Sequence, residues 1–78
     1  MKRLTCKAIT KAFYKKHPKV KIKFWLIRGD GYFYLTSDDI EFYKKFKSTS
    51  IYTFKLFHMT LEQWVSSIEA LCEEAELL

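Results

Sequence analysis

The feature that most constrains this chain is a change of hydrophobic period at its one proline, Pro18. Before it, Cys6, Ala8, Ile9, Ala12 and Phe13 share one side of a helical wheel, while Arg3, Lys7, Lys11 and Lys15 recur every fourth residue along the opposite side. That spacing predicts an amphipathic helix over residues 3–17. His17 and Pro18 end it, because the residue before a proline is pushed out of the α region. After Pro18 the period becomes two. Val20, Ile22, Phe24 and Leu26 point one way and Lys19, Lys21, Lys23 and Trp25 the other, the pattern of a half-buried strand over residues 19–28.

The rest of the chain continues that strand. Arg28-Gly29-Asp30-Gly31 supplies turn chemistry and Tyr32-Phe33-Tyr34-Leu35 an aromatic strand directly after it, so the two strands are expected to form a β-hairpin. Thr36-Ser37-Asp38-Asp39 reads as a helix start, with carboxylates in the first turn where the helix dipole favours them. A short helix through about Lys47 should follow, with Glu41 paired to Lys45 and with Phe42 and Phe46 on one side. Ile51 to Phe57 is β-branched and aromatic enough for a third strand, with Tyr52, Phe54 and Leu56 on one face. Thr60 with Gln63 three residues later makes a capping box, and Met59 and Trp64 take the positions of a hydrophobic staple. The final helix, 61–76, carries Leu61, Trp64, Val65, Ile68, Leu71, Cys72 and Ala75 as an apolar stripe that must bury against the sheet. The expected architecture is α+β in the order α-β-β-(short α)-β-α. Its antiparallel sheet has three strands, and the two longer helices pack on one face.

With 78 residues, 49% of them hydrophobic and 18% aromatic, the chain fits a single domain, 1–78, and excludes disorder and low complexity. No apolar run approaches the roughly 20 residues that span a bilayer, and the N-terminus lacks the apolar stretch of a signal peptide. The expectation is a cytoplasmic protein without a membrane partner. Charge is segregated along the chain. Residues 1–28 hold ten of the fourteen Lys and Arg and no acid, whereas residues 58–78 hold five Glu and neither Lys nor Arg. Such a field attracts polyanions, although lysines also serve to solvate an outer face. The late glutamates Glu69, Glu73, Glu74 and Glu76 sit where a helix dipole disfavours them, so either that end frays or a basic surface, most simply the chain's own N-terminal lysines, compensates it.

Catalytic chemistry is sparse. Cys6 and Cys72 fall on apolar helix faces and read as small, reduced core residues rather than nucleophiles. His17 and His58 lack ligand spacing to any partner, and Asp38, Asp39 and Glu41 are explained by a helix start without metal. Arg28-Gly29-Asp30 is read as turn chemistry rather than as an integrin-binding tripeptide, and no glycine loop could cradle a phosphate. No enzyme activity, cofactor or metal is expected.

Gly31-Tyr32-Phe33-Tyr34, Ser37-Asp38-Asp39, Ser50-Ile51-Tyr52 and Leu61-Glu62-Gln63-Trp64-Val65 together resemble the small uncharacterised proteins of bacterial prophages and mobile elements, over roughly residues 29–68. That resemblance implies an accessory or regulatory protein that works by binding. The element order is also similar to that of double-stranded-RNA-binding domains, which hold phosphates with lysines at the start of their last helix. Here that helix begins Thr60-Leu61-Glu62-Gln63-Trp64, acidic and apolar, so the resemblance does not extend to that function. Two functions are expected from these readings. The first is a module that binds a protein partner. The alternative is a nucleic-acid-binding domain that sets Arg3, Lys7, Lys11, Lys15, Lys19, Lys21 and Lys23 against phosphates and stacks Trp25 on a base.

Overall fold

The computed structural model describes residues 4–46 and 48–78. In chain order the elements are α1 (Cys6–Lys16), β1 (Trp25–Arg28), β2 (Phe33–Thr36), α2 (Ile40–Lys45), β3 (Ser50–Ile51), one 3-10 turn (Leu56–His58) and α3 (Leu61–Glu74). The strands make one antiparallel sheet in the order β1-β2-β3, so the α+β class and the order of elements are those the periodicities predict.

Strand register sorts the side chains into two faces. Leu26 lies opposite Leu35 and Phe33 opposite Ile51, and residues directly opposite one another share a face. Leu26, Leu35 and Phe33 are buried on the inner face with Phe24. Ile9 and Phe13 of α1, Phe42 of α2, and Trp64, Val65, Ile68 and Cys72 of α3 close over them as one core. On the outer face Trp25 lies opposite Thr36, Ile27 opposite Tyr34, and Tyr34 opposite Ser50. None of these five joins the core, and among the described residues no helix seals that face.

Side chains of α1 close the free edge of β1. The Tyr14 hydroxyl donates to the Ile22 carbonyl at 2.6 Å and accepts the Phe24 N–H at 2.9 Å, and the Thr10 hydroxyl accepts the Leu26 N–H at 3.2 Å. These groups occupy backbone positions that a fourth strand would otherwise pair with, which blunts the edge. Burial pushes the Tyr14 hydroxyl up to about 12, against the opposing hydrogen bond from Phe24. Tyr14→Phe keeps the ring and strands both backbone groups, so chemical denaturation should show a loss of about 1–3 kcal/mol. An unchanged midpoint would mean that water satisfies this edge equally well.

The helix ends follow the local chemistry. Thr5 caps α1 by accepting the Ala8 N–H. The capping box of α3 is complete, with the Thr60 side chain accepting the Gln63 N–H at 3.1 Å and the Gln63 side chain accepting the Thr60 N–H at 2.8 Å. At its other end Leu77 N–H reaches the Cys72 carbonyl and Glu76 N–H the Glu73 carbonyl, with Glu76 in the left-handed region at φ 63°. This is a Schellman closure, and it stops the helix two residues before the expected end.

Several expected boundaries move. Helix α1 spans Cys6–Lys16 rather than 3–17, and the Arg3 position expected within it lies outside the described residues. The alternation over 19–28 is real in burial, with Ile22, Phe24 and Leu26 inside and Lys21, Lys23 and Trp25 outside. Pairing begins only at Trp25, because β2 ends at Thr36 and the chain before it is held by the Tyr14 and Ser37 hydroxyls. The helix expected to reach Lys47 is α2, Ile40–Lys45, capped by Asp39; Lys47 itself lies outside the described residues. Glu41 pairs with Lys44 at 3.8 Å instead of with Lys45, while Phe42 and Phe46 stack with centroids 4.4 Å apart, as their shared side requires. The third strand is the largest correction. It spans Ser50–Ile51 and not Ile51–Phe57, because the Thr53 N–H turns back onto the Ile51 carbonyl. Tyr52 and Phe54 are consequently 85% and 67% exposed, and Leu56 enters the 3-10 turn.

Among the described residues, the late glutamates are compensated at one point. Glu69 accepts from His17 and from Lys16, the latter at 3.1 Å, which joins the end of α1 to the middle of α3. The hydrogen bond from His17, then that from Lys16, holds the Glu69 carboxyl below its ordinary value. A depressed carboxylate stabilises the fold above its unfolded value of about 4.3, and that contribution is lost as pH falls through the lower folded value. Glu69→Gln should therefore lower the urea midpoint at neutral pH. The gap from the unmodified chain should close below about pH 4.

Candidate binding surface around Trp25

Trp25 is the first paired residue of β1, and its phase in the strand turns it away from the core. The residue remains 38% exposed, although aromatic side chains of that size are mostly buried. Three open hollows meet at it. One is lined by Cys6, Lys7, Thr10 and Lys11 of α1 together with Trp25 and Leu26. A second is lined by Tyr14, Val20, Lys21, Lys23, Phe24 and Trp25. The third brings Lys21, Lys23 and Trp25 beside Asp38 and Asp39 at the start of α2.

The lysines arrive by two routes. Lys7 and Lys11 are one helical turn apart on α1, which the Tyr14 and Thr10 hydroxyls dock along the edge of β1. Lys21 and Lys23 are carried on the extended segment before β1, in phase with Trp25 and opposite to the buried Ile22 and Phe24. Four lysines less Asp38 and Asp39 leave a local charge of +2 around one exposed indole. The glutamates of α3 stand on a helix that packs against α1 and the inner face of the sheet. That helix meets the sheet through Trp64, Val65 and Ile68, and its Glu62, Glu73 and Glu74, like Glu76 just beyond it, are exposed.

Of the residues the sequence singles out, the structure gathers Lys7, Lys11, Lys21, Lys23 and Trp25. Lys15 is exposed further along α1, beyond the hollows at Trp25. Lys19 lines a separate hollow with Lys16, His17, Pro18, Val20, Leu77 and Leu78, by the C-terminal end of α3. Arg3 lies outside the described residues.

Aromatic residues that the sequence assigns to strands continue the surface. Tyr34 sits beside Ile27 on the outer face, its ring 5.8 Å from that of Tyr32, which in turn lies 6.2 Å from Tyr52. The legible signal is the phase of Tyr32-Phe33-Tyr34-Leu35, in which the tyrosines alternate with the two residues that belong inside. Tyr43 of α2 accepts from the Ser37 N–H and donates to the Ser37 carbonyl, and its hydroxyl lies 3.0 Å from that of Thr36, which ties α2 to the Trp25 end of this face.

The two cysteines differ more than their shared helical phase suggests. Cys72 is fully buried, and burial pushes its thiol up to about 12. Cys6 is only half-buried, at the rim of the hollow shared by Lys7, Lys11 and Trp25, and burial raises its thiol less, against the field of Arg28. A thiol reagent at mildly alkaline pH should modify Cys6 in the folded protein and reach Cys72 only on unfolding, as peptide mass mapping would show. Equal rates at the two sites would contradict the burial of Cys72. Among the described residues, no group of three His, Cys, Asp or Glu comes together as a metal ion requires, and no helix is long and apolar enough to cross a membrane. Comparison with models of known protein families, with curated proteins and with solved structures returns no match.

Proposed function

We propose that this chain is a small, non-enzymatic binding module that takes nucleic acid on the surface around Trp25. The observation that carries the reading is an exposed indole with Lys7 and Lys11 on one side and Lys21 and Lys23 on the other. Cations that follow a phosphate backbone beside an aromatic that stacks a base are the two parts of a sequence-tolerant nucleic-acid site. The position of α3 also supports it. That helix, which carries most of the late glutamates, packs on the inner face of the sheet, whereas Trp25 has the outer phase of β1.

A protein partner, the first expectation from the sequence, finds support at a different place. Phe54 and Phe57, in the loop between β3 and α3, are 67% and 73% exposed, and large apolar side chains left open on a small domain suit a protein interface. Fluorescence anisotropy of a labelled oligonucleotide separates the readings. The nucleic-acid reading requires binding that weakens in both Lys11→Glu and Trp25→Ala. Binding that is absent, or indifferent to both substitutions, removes it and leaves the Phe54 and Phe57 surface as the interface to pursue.

A further inference from the structure

We infer that the uncovered face of the sheet is a stacking track for single-stranded nucleic acid, running from Trp25 through Tyr34 and Tyr32 to Tyr52. This rests on the nucleic-acid reading above and adds to it the form of the ligand and the path it follows. Strand register sets the path: Trp25 and Thr36 form one row of the outer face, Ile27, Tyr34 and Ser50 the next, with Tyr32 and Tyr52 beyond. Successive rows on one face of a strand are about 6.8 Å apart, twice the rise per residue. The tyrosine rings are spaced 5.8 and 6.2 Å apart and tilted by 36° and 37°. Those separations are well beyond the roughly 3.4 Å between stacked bases of a duplex strand, so bases can occupy successive rings only when splayed from one another. A duplex hides its base faces within the stack and presents none to such a surface. An extended single strand presents every one.

Charge supplies the occupant's polarity. Lys7, Lys11, Lys21 and Lys23 surround the Trp25 end, whereas Arg28, opposite Phe33, has the inner phase of β1 and lines a separate hollow with Leu4, Leu56 and Phe57. Asp30, within that turn, is the acid nearest in sequence to the tyrosine rows. Tyr52 is 85% exposed and contributes nothing to the core, so its ring is available without any rearrangement of the fold. Tyr32 and Tyr34 are half-buried by one another and by the sheet.

The test uses a labelled thymidine oligonucleotide of about 12 nucleotides, within the range that single-strand binding surfaces occupy, and a duplex of the same length. Tyr52→Ala and Tyr34→Ala should each weaken single-strand binding about 5- to 150-fold, the worth of one stacked base. Tyr52→Phe and Tyr34→Phe should retain it, because stacking needs the ring and not the hydroxyl. The slope of log affinity against log salt should be the same in all four variants, since no phosphate contact is removed. Single-strand binding that depends on Lys11 and Trp25 but ignores both alanine variants, or a duplex bound as tightly as the single strand, overturns the track and leaves the Trp25 site standing. Absence of binding to either probe overturns both.

Discussion

Between 50 and 200 mM salt the affinity for a single-stranded oligonucleotide is expected to fall about fiftyfold. The figure follows from the four lysines gathered at Trp25. Each phosphate neutralised on a single strand contributes about 0.7 to the slope of log affinity against log salt, so four give about 2.8, and a fourfold change in salt then spans roughly 1.7 decades. The full set of lysines on α1 and the following segment would give a steeper dependence, but Lys15 lines none of the three hollows at Trp25 and Lys19 lines a separate one. Lys11→Ala should lower the slope by about 0.7, and Lys11→Glu should weaken binding further by placing an acid against the backbone. Trp25→Ala should leave the slope unchanged and weaken binding about 5- to 150-fold at every salt concentration. The two kinds of variant thus separate charge from stacking. A flat salt dependence would show that the lysines only solvate.

Trp64→Ala should cost about 3–5 kcal/mol, a large share of the roughly 4–12 kcal/mol available to a domain of this length. Trp64 is fully buried, its ring edge-on to Phe33 with centroids 5.1 Å apart, and its indole N–H donates to the Leu56 carbonyl at 2.8 Å. It therefore joins three pieces: α3, the inner face of β2 and the 3-10 turn. Removing it leaves a cavity between the helix and the sheet and releases the turn at once. Trp64→Phe refills much of the space and leaves the Leu56 carbonyl only the Met59 N–H at 3.4 Å, so it should cost less, about 0.5–1.5 kcal/mol. Urea denaturation followed by far-ultraviolet circular dichroism measures both. Trp25 remains in each variant as a fluorescence probe on the outer face. An alanine variant with an unchanged midpoint would contradict the docking of α3.

The parts of this fold that were legible in the sequence are those encoded locally. The period change at Pro18 locates α1 and the extended segment after it, and the Thr60 and Gln63 side chains announce α3 because both halves of the capping box lie within four residues. The β3 segment was not legible. A β-branched and aromatic run such as Ile51 to Phe57 has the same composition whether it pairs or lies open, and pairing depends on a neighbour far away in the chain. Here only Ser50 and Ile51 find β2, and Tyr52 and Phe54 are left on the surface. The candidate site divides in the same way. Alternation turns Trp25 away from the core, but it does not bring Lys7 and Lys11 to it. That is done by Thr10, whose hydroxyl accepts a backbone N–H 16 residues later, and by Tyr14 beside it. The side chains that close a sheet edge are thus also those that assemble the basic surface, a coupling that period and spacing do not encode.

The most direct test of the account is a two-dimensional amide NMR titration of the isotopically labelled protein with a short thymidine oligonucleotide. The outer face of the sheet as binding surface predicts shifts at the Trp25 indole, along Trp25–Arg28 and Phe33–Thr36, and at Tyr52, while Ser66, Glu73 and the rest of the exposed side of α3 stay in place. Shifts confined to α3 or to the Phe54–Phe57 loop, or a spectrum that does not change at all, would contradict it.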